Sequence, residues 1–361
     1  MNKLLLIICI IVGIIPVCGR EIVSEHLKGT IGGSPVVFEL ISSDTSMSGS
    51  YYYEKIGIPL TISGEMNPDA SYSVEEYDGE VVTGKMLVTY TDTGLAGTWS
   101  SPDGKIKLPI IATYADNVIR FTVRRIEVIK HLFNDPAKPV CTVNLRYLEP
   151  TVNPNGATPK SLNALIMKAY FGDFCRSNLP ESAAVFVKDF QSGFIEMESN
   201  YEELKKEGYP FAEWVLEQGM SIVFNGYGLV TLSIDQYSFA GGAHPNGSTS
   251  YLVIDIVNGR KLTFDDIFVA GSTDKLTDMI TQTILQPLID MDASITRLTD
   301  AGFYDDRIAP NNNFSVTKAG IYFHYNAYEA SPYVVGPSEA FLPFSQIKDL
   351  IKKDSPIKKL F

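Results

Sequence analysis

The feature that most limits the fold lies in residues 20–115, where apolar residues do not recur at the helical spacing of three or four. Instead, short runs rich in β-branched and aromatic side chains follow one another at 34–41, 49–53, 58–63, 72–77, 82–90, 98–100 and 106–112. Two of the joints are Asp78-Gly79 and Asp103-Gly104, dipeptides suited to the positive-φ turns of tight hairpins. Short strands joined in this way predict an all-β antiparallel barrel or sandwich. Because side chains alternate across a strand, Tyr51, Tyr52 and Tyr53 must place rings on both of its faces. An outward ring could stack on a sugar, although packing is the ordinary role of such residues in a small barrel.

Beyond residue 115 the pattern changes. Residues 118–130 and 140–148 read as a strand pair, and a Pro- and Asn-rich run at 149–159 breaks the chain. Thr158 then Pro159 is a helix start, with Leu162, Leu165, Ile166 and Ala169 as its apolar stripe. A longer helix is expected over 181–207, stopped by Gly208. Residues 211–225 and 229–239 form one hairpin, and 250–257 with 260–264 form another across Asn258-Gly259. Asp265 is placed to cap a segment starting at Asp266, and Leu276, Met279, Ile280, Ile284 and Leu288 share one helix face. A strand region at 314–328 and a helix at 345–352 complete the chain. Strands and helices come in blocks, so this second unit is α+β. The expected division is therefore a β domain over 20–115 and an α+β domain over 116–361, with parts 116–239 and 240–361.

At 361 residues, 45% of them apolar, the chain has material for two cores. Residues 1–19 read as a signal peptide: polar Asn2 and Lys3, then an apolar stretch at 4–17 too short for a permanent span. Val17 and Gly19 suit cleavage before Arg20. Lipid anchoring at Cys18 wants a small residue where Val17 stands, so simple cleavage and a periplasmic or secreted product are expected. Cys141 and Cys175 then remain, and an even pair in an exported chain points to a disulfide. It would close a loop of about 35 residues, worth on the order of 3–4 kcal/mol. The net charge of −12 argues against a nucleic-acid partner and would suit a basic one.

Residues 237–245 read Tyr-Ser-Phe-Ala-Gly-Gly-Ala-His-Pro, between two strand-like runs. Gly241 and Gly242 permit positive φ, and Pro245 holds His244 extended, so a histidine sits on a stiff turn at a strand end. Tyr237, Gly241, Gly242, His244 and Pro245 are candidate binding residues, together with Tyr328 and Glu329 beyond the aromatic strand 321–325. Glu329 would reach the His244 loop if the two segments are neighbours; a solvated strand-end carboxylate and a plain surface loop are the simpler accounts. Familiar catalytic patterns are missing. His26, His131, His244 and His324 are far apart in sequence, which leaves no HExxH-type zinc motif. There is no nucleophile elbow, P-loop or dinucleotide fingerprint. Asp265-Asp266 reads as helix capping, because adjacent helical residues do not face one another. No cofactor or metal is expected.

These residues resemble a known family. Gly-Ala-His-Pro at 242–245, the strand-turn-strand 250–264 running into Asp265-Asp266-Ile267-Phe268, and 320–328 with Glu329 are similar to the C-terminal domain of the RsiV-like family. That domain of unknown function also occurs beside the catalytic domain of the peptidoglycan deacetylase PdaC. Residues 118–239, with Ser161-Leu162-Asn163, resemble the small PdaC-type domain that precedes it. The resemblance implies an extracytoplasmic recognition module; RsiV itself is a membrane-spanning anti-sigma factor whose outer part binds lysozyme. This chain shows no sigma-binding segment or second span, and it lacks the metal histidines of a polysaccharide deacetylase, so neither activity carries over. The expectation is an exported, non-catalytic binding protein of the cell envelope, recognising a lysozyme-like hydrolase or cell-wall glycan. One alternative is an enzyme acting on envelope polysaccharide, which needs a pocket holding two carboxylates, or His244 with a carboxylate, within hydrogen-bond reach. Another is a structural envelope protein without a discrete ligand.

Overall fold

The computed structural model describes residues 22, 24–154, 156–208 and 211–361. The expected signal peptide, with Cys18, lies outside them. Eight strands come first: β1 (Ser24–Ile31), β2 (Ser34–Ser42), β3 (Ser46–Tyr53), β4 (Leu60–Met66), β5 (Tyr72–Asp78), β6 (Val81–Thr91), β7 (Gly94–Ser100) and β8 (Lys107–Tyr114). Each pairs with the next, and β8 returns antiparallel to β1, which makes a closed barrel rather than a sandwich. Alternation fills the lumen with Leu27, Phe38, Tyr51, Val74, Val88 and Ile110. The tyrosine triplet divides as expected: Tyr51 points inward against Phe38, with ring centroids 5.1 Å apart, and Tyr52 lies outside against Phe224 at 6.2 Å.

The second unit is built on a six-stranded sheet. Its elements are β9 (Arg120–His131), β10 (Val140–Val152), the helices α1 (Pro159–Phe171), α2 (Leu179–Ser199) and α3 (Tyr201–Lys206), then β11 (Trp214–Gly226), β12 (Leu229–Phe239), β13 (Asn246–Asp255) and β14 (Arg260–Lys261). The strand order is β14-β13-β12-β11-β10-β9. Among the described strands only β10 and β11 run parallel, because the three helices cross over between them. Thr158 caps α1 by accepting from Ser161 N, as the sequence predicts. The single helix expected over 181–207 is instead two helices. Asn178 caps α2 earlier, accepting from Glu181 N at 2.9 Å, and Asn200 leaves helical geometry (φ −108°, ψ 10°) before α3. Leu162, Ile166, Phe171 and Phe194 bury one face of the sheet against Val143, Leu145 and Leu232. The division expected at 239/240 falls inside this sheet, between β12 and β13.

The remainder comprises α4 (Phe264–Ile267), α5 (Thr273–Met291), β15 (Phe314–Val316), β16 (Gly320–Tyr325), β17 (Ser338–Pro343) and α6 (Phe344–Ile347). The strand region expected over 314–328 is thus a hairpin of two strands, and β15, β16 and β17 form a separate sheet. Asp266 rather than Asp265 serves the start of α4: its carboxylate accepts from Thr263 N at 2.8 Å and from the Thr263 hydroxyl at 2.7 Å. Among the described residues, no helix is long and apolar enough to cross a membrane.

Barrel and sheet share a buried polar junction. Glu39 on β2 takes a hydrogen bond from His26 Nδ1, and Asn225 on β11 donates to Ile119 O at 2.9 Å and reaches Glu39 Oε2 at 3.5 Å. Burial raises the Glu39 carboxyl above its usual value, with His26 only partly opposing it.

The expected disulfide is not formed; Cys141 and Cys175 are both free. Cys141 faces the helices inside the core, whereas Cys175 follows the turn after α1 and packs at the edge of the same core, on the side of Tyr147. Tyr147 stands six residues further along β10 than Cys141, about 20 Å at the rise of a strand. Cys141 therefore lies near the start of β10, and Cys175 lies against its middle.

Candidate functional site: a cleft on the uncovered sheet face

The helices cover one side of the six-stranded sheet. At one end its other side is open, and strand register lays polar side chains there in rows. Arg125 on β9 stands opposite Arg146 on β10, which pairs with Gly219 on β11, then Asp235 on β12 and Thr249 on β13. The adjacent row on the same face is Glu127, Asn144, Glu217, Tyr237 and Gly247. Together they floor a cleft of about 1230 Å³. Its far wall is the end of β16, with His324, and the segment after it, with Asn326, Tyr333 and Pro337. A second cleft of about 610 Å³, between barrel and sheet, shares Arg146, Asp235, Thr249 and His324 with the first.

Asn326 ties that wall to β13. Its Oδ1 accepts from Thr249 N at 2.7 Å, and its Nδ2 donates to Thr249 O at 3.1 Å and to Glu329 Oε1 at 3.2 Å. With the amide oriented this way, the oxygen also faces His324 Nε2 at 3.1 Å, while His324 Nδ1 lies 2.7 Å from Glu339 Oε1. Both ring nitrogens thus meet acceptors and both must donate, which describes an imidazolium. Burial pulls the His324 pKa down, but the hydrogen bond and charge of Glu339, with help from Asn326, outweigh it and the net shift is upward. With both nitrogens committed, His324 does not fit a metal ion, and among the described residues no three His, Cys, Asp or Glu side chains cluster to hold one.

On the floor, Arg146 donates to the Ser221 hydroxyl at 3.2 Å. Burial first, then the Arg125 charge, pulls its guanidinium below the usual value. Asp235 is occupied on both oxygens, by the Ser233 hydroxyl at 2.9 Å and the Thr249 hydroxyl at 2.9 Å.

The corner predicted from sequence sits beside this cleft and is open to solvent. Gly241 (φ 76°) and Gly242 (φ 101°) adopt the positive values expected of them, and His244 is exposed. His244 stacks on Tyr333, with ring centroids 3.9 Å apart and planes 18° from parallel, and the Tyr328 hydroxyl lies 3.4 Å from His244 Nε2. Tyr328 and Tyr333 also stack, at 6.0 Å. The structure therefore brings His244 and Tyr328 together, adds Tyr333, and places Tyr237 in the cleft lining. Pro245 supplies the carbonyl that faces His244 Nδ1 at 2.9 Å. Glu329 bonds to Asn326 instead of the His244 loop. Of the two arrangements an enzyme reading allowed, the pairing of His244 with a carboxylate is not formed among the described residues; the histidine–carboxylate pair beside the cleft is His324 with Glu339.

Sequence reasoning did not single out Arg125, Arg146, Asp235, Tyr333, or the His324–Glu339 pair. Arg146 carried a signal: Asn144 and Arg146 alternate with Val143, Leu145 and Tyr147 and so mark one polar sheet face, whereas Arg125 is masked by Arg124 beside it. The other partners depend on strand order and register, which no local pattern encodes.

Residues 137–247 match the family model described as deacetylase PdaC, and residues 265–345 match the protein of unknown function DUF3298. Among solved structures, a DUF3298-family protein from Bacteroides fragilis is 26% identical, with a TM-score of 0.58, over 68% of this chain and 99% of that one. A DUF3298-family protein from Pseudomonas aeruginosa is 16% identical, with a TM-score of 0.44, over 64% and 95% respectively. No curated protein matches significantly. Of the cleft floor, the residues from Asn144 to Gly247 lie in the PdaC-type region, while Arg125 and Glu127 on β9 precede it and Thr249 follows it; the wall from His324 to Pro337 lies in the DUF3298 region.

Proposed function

We propose that this chain, a PdaC-type region followed by a DUF3298 region, is an exported binding protein of the cell envelope that takes a glycan strand in the cleft. The observation that carries this reading is the pairing of an aromatic rim, His244, Tyr328 and Tyr333, with a floor of arginine, carboxylate and amide side chains. A pyranose ring offers apolar faces for stacking and a hydroxyl-bearing edge for polar partners, and such a groove meets both. The volume exceeds that of an ordinary small-molecule pocket, as a polymer requires. Export itself rests on residues 1–19.

A second reading is a basic protein partner such as a lysozyme-like hydrolase. It is favoured by the net charge of −12 and by exposed Tyr237, Tyr328, Tyr333 and Val334 around the cleft, since aromatic anchors dominate protein interfaces. One experiment separates the two. Purified protein is incubated with insoluble peptidoglycan and, separately, with immobilised lysozyme at low and high salt. The glycan reading expects sedimentation with peptidoglycan that is lost in Tyr333→Ala. Retention on lysozyme alone, weakened by salt, would transfer the assignment to the protein partner. Release of soluble sugar in the same incubation would make the protein an enzyme.

A further inference from the structure

Register forces two like charges together: Arg125 and Arg146 are direct partners across β9 and β10, an arrangement that is unfavourable when nothing lies between them. Neither makes an ion pair among the described residues, although carboxylates are close by. Asp235, in the same row, already has both oxygens bonded to hydroxyls. The guanidinium lies over Gly219, where a Cβ would stand 3.5 Å from an Arg146 nitrogen, in ordinary contact. Arg146 is also half-buried, so part of the cost of desolvating its charge is already met. Two forked cations, one preheld by Ser221 and both lining an open cleft, match the two oxygens of a planar carboxylate.

We infer that the Arg125–Arg146 pair is a subsite for a carboxylate carried by the ligand; this rests on the glycan reading of the cleft and narrows it to an acidic glycan. The carboxylate has two possible sources of the same chemistry, an acid substituent on a sugar ring or the free carboxyl of a peptide attached to it.

Calorimetric titration tests this with three tetrasaccharides of equal length. One is neutral chitotetraose, one alternates N-acetylglucosamine with N-acetylmuramic acid bearing free lactyl carboxylates, and one has those carboxyls capped by stem peptides. The wild type is expected to bind an acidic ligand at least about tenfold more tightly than chitotetraose, with affinity falling as salt rises. Arg125→Gln, at an exposed position on the edge strand, is expected to remove that preference, so that the acidic ligands bind no more tightly than chitotetraose. Arg146→Lys keeps the charge without the fork and is expected to lose most of it. Which acidic ligand is preferred identifies the source. Equal binding of all three by the wild type, or a preference that survives both variants, overturns the subsite while leaving the glycan reading standing. Binding of the acidic ligands alone, abolished by Arg125→Gln, upholds the subsite and removes the reading of the rim as a general sugar platform. Binding of none of the three overturns both.

Discussion

His324 and Glu339 face one another as direct partners across β16 and β17, with the imidazole Nδ1 2.7 Å from the carboxylate and the other ring nitrogen on Asn326. The pair holds the cleft wall in a defined protonation state, and its linkage to folding has a definite sign. A histidine whose folded pKa is raised above 6.5 stabilises the fold fully below that value, where it is protonated folded or unfolded, and loses this contribution as pH rises through the raised value. The stability difference between wild type and His324→Gln, measured by urea unfolding across pH, should therefore be largest in mild acid and shrink by about 1 kcal/mol toward alkaline pH; Glu339 is half-exposed, which limits the size. A difference that is flat, or grows with pH, would show that the imidazolium is absent.

The junction between barrel and sheet makes an asymmetric prediction. His26→Leu leaves the Glu39 carboxyl buried with only Asn225 for company, and should cost roughly 3 kcal/mol in chemical denaturation. His26→Leu combined with Glu39→Leu should recover most of that, because no orphaned acid remains. Equal losses in single and double variants would mean that packing, not polarity, holds the junction.

The two thiols should behave independently. Under native conditions a thiol reagent is expected to label Cys175 promptly, and Cys141 only after unfolding. Cys141 is buried, and that burial pushes its thiol up to about 12. Mass spectrometry of the non-reduced protein checks the same point, since a mass lower by two hydrogens would restore the disulfide.

Removing the rim should affect ligand and leave the fold intact. Tyr333→Ala deletes the ring that His244 and Tyr328 both stack on, at a partly exposed position. Its melting temperature should match the wild type while glycan affinity falls by about tenfold. A large drop in melting temperature would recast the trio as structural.

Much of the fold was legible in the sequence because its causes are local. Asp78-Gly79, Asp103-Gly104 and Asn258-Gly259 each turn a hairpin, and Thr158-Pro159 starts a helix, through contacts a few residues apart. The break at Asn200 was not legible, since the apolar stripe continues through it. The corner at Gly241, Gly242 and His244 was readable for the same local reasons, including its exposure. Its partner Tyr333 was not, for it arrives from a segment about 90 residues later in the chain. The arginine pair depends on a strand register and the His324–Glu339 pair on another, so neither exists until the sheets assemble. The thiol pairing failed for the complementary reason: counting cysteines carries no information on where along β10 each one lands.

The central claim is that the uncovered face of the six-stranded sheet is where a glycan strand sits. Hydrogen–deuterium exchange with and without soluble peptidoglycan fragments addresses it most directly, because it reports location. The account predicts slowed exchange in the peptides spanning 217–219, 235–249 and 326–337, with the barrel strands unchanged. Protection confined to the barrel, or none at saturating ligand, would contradict it.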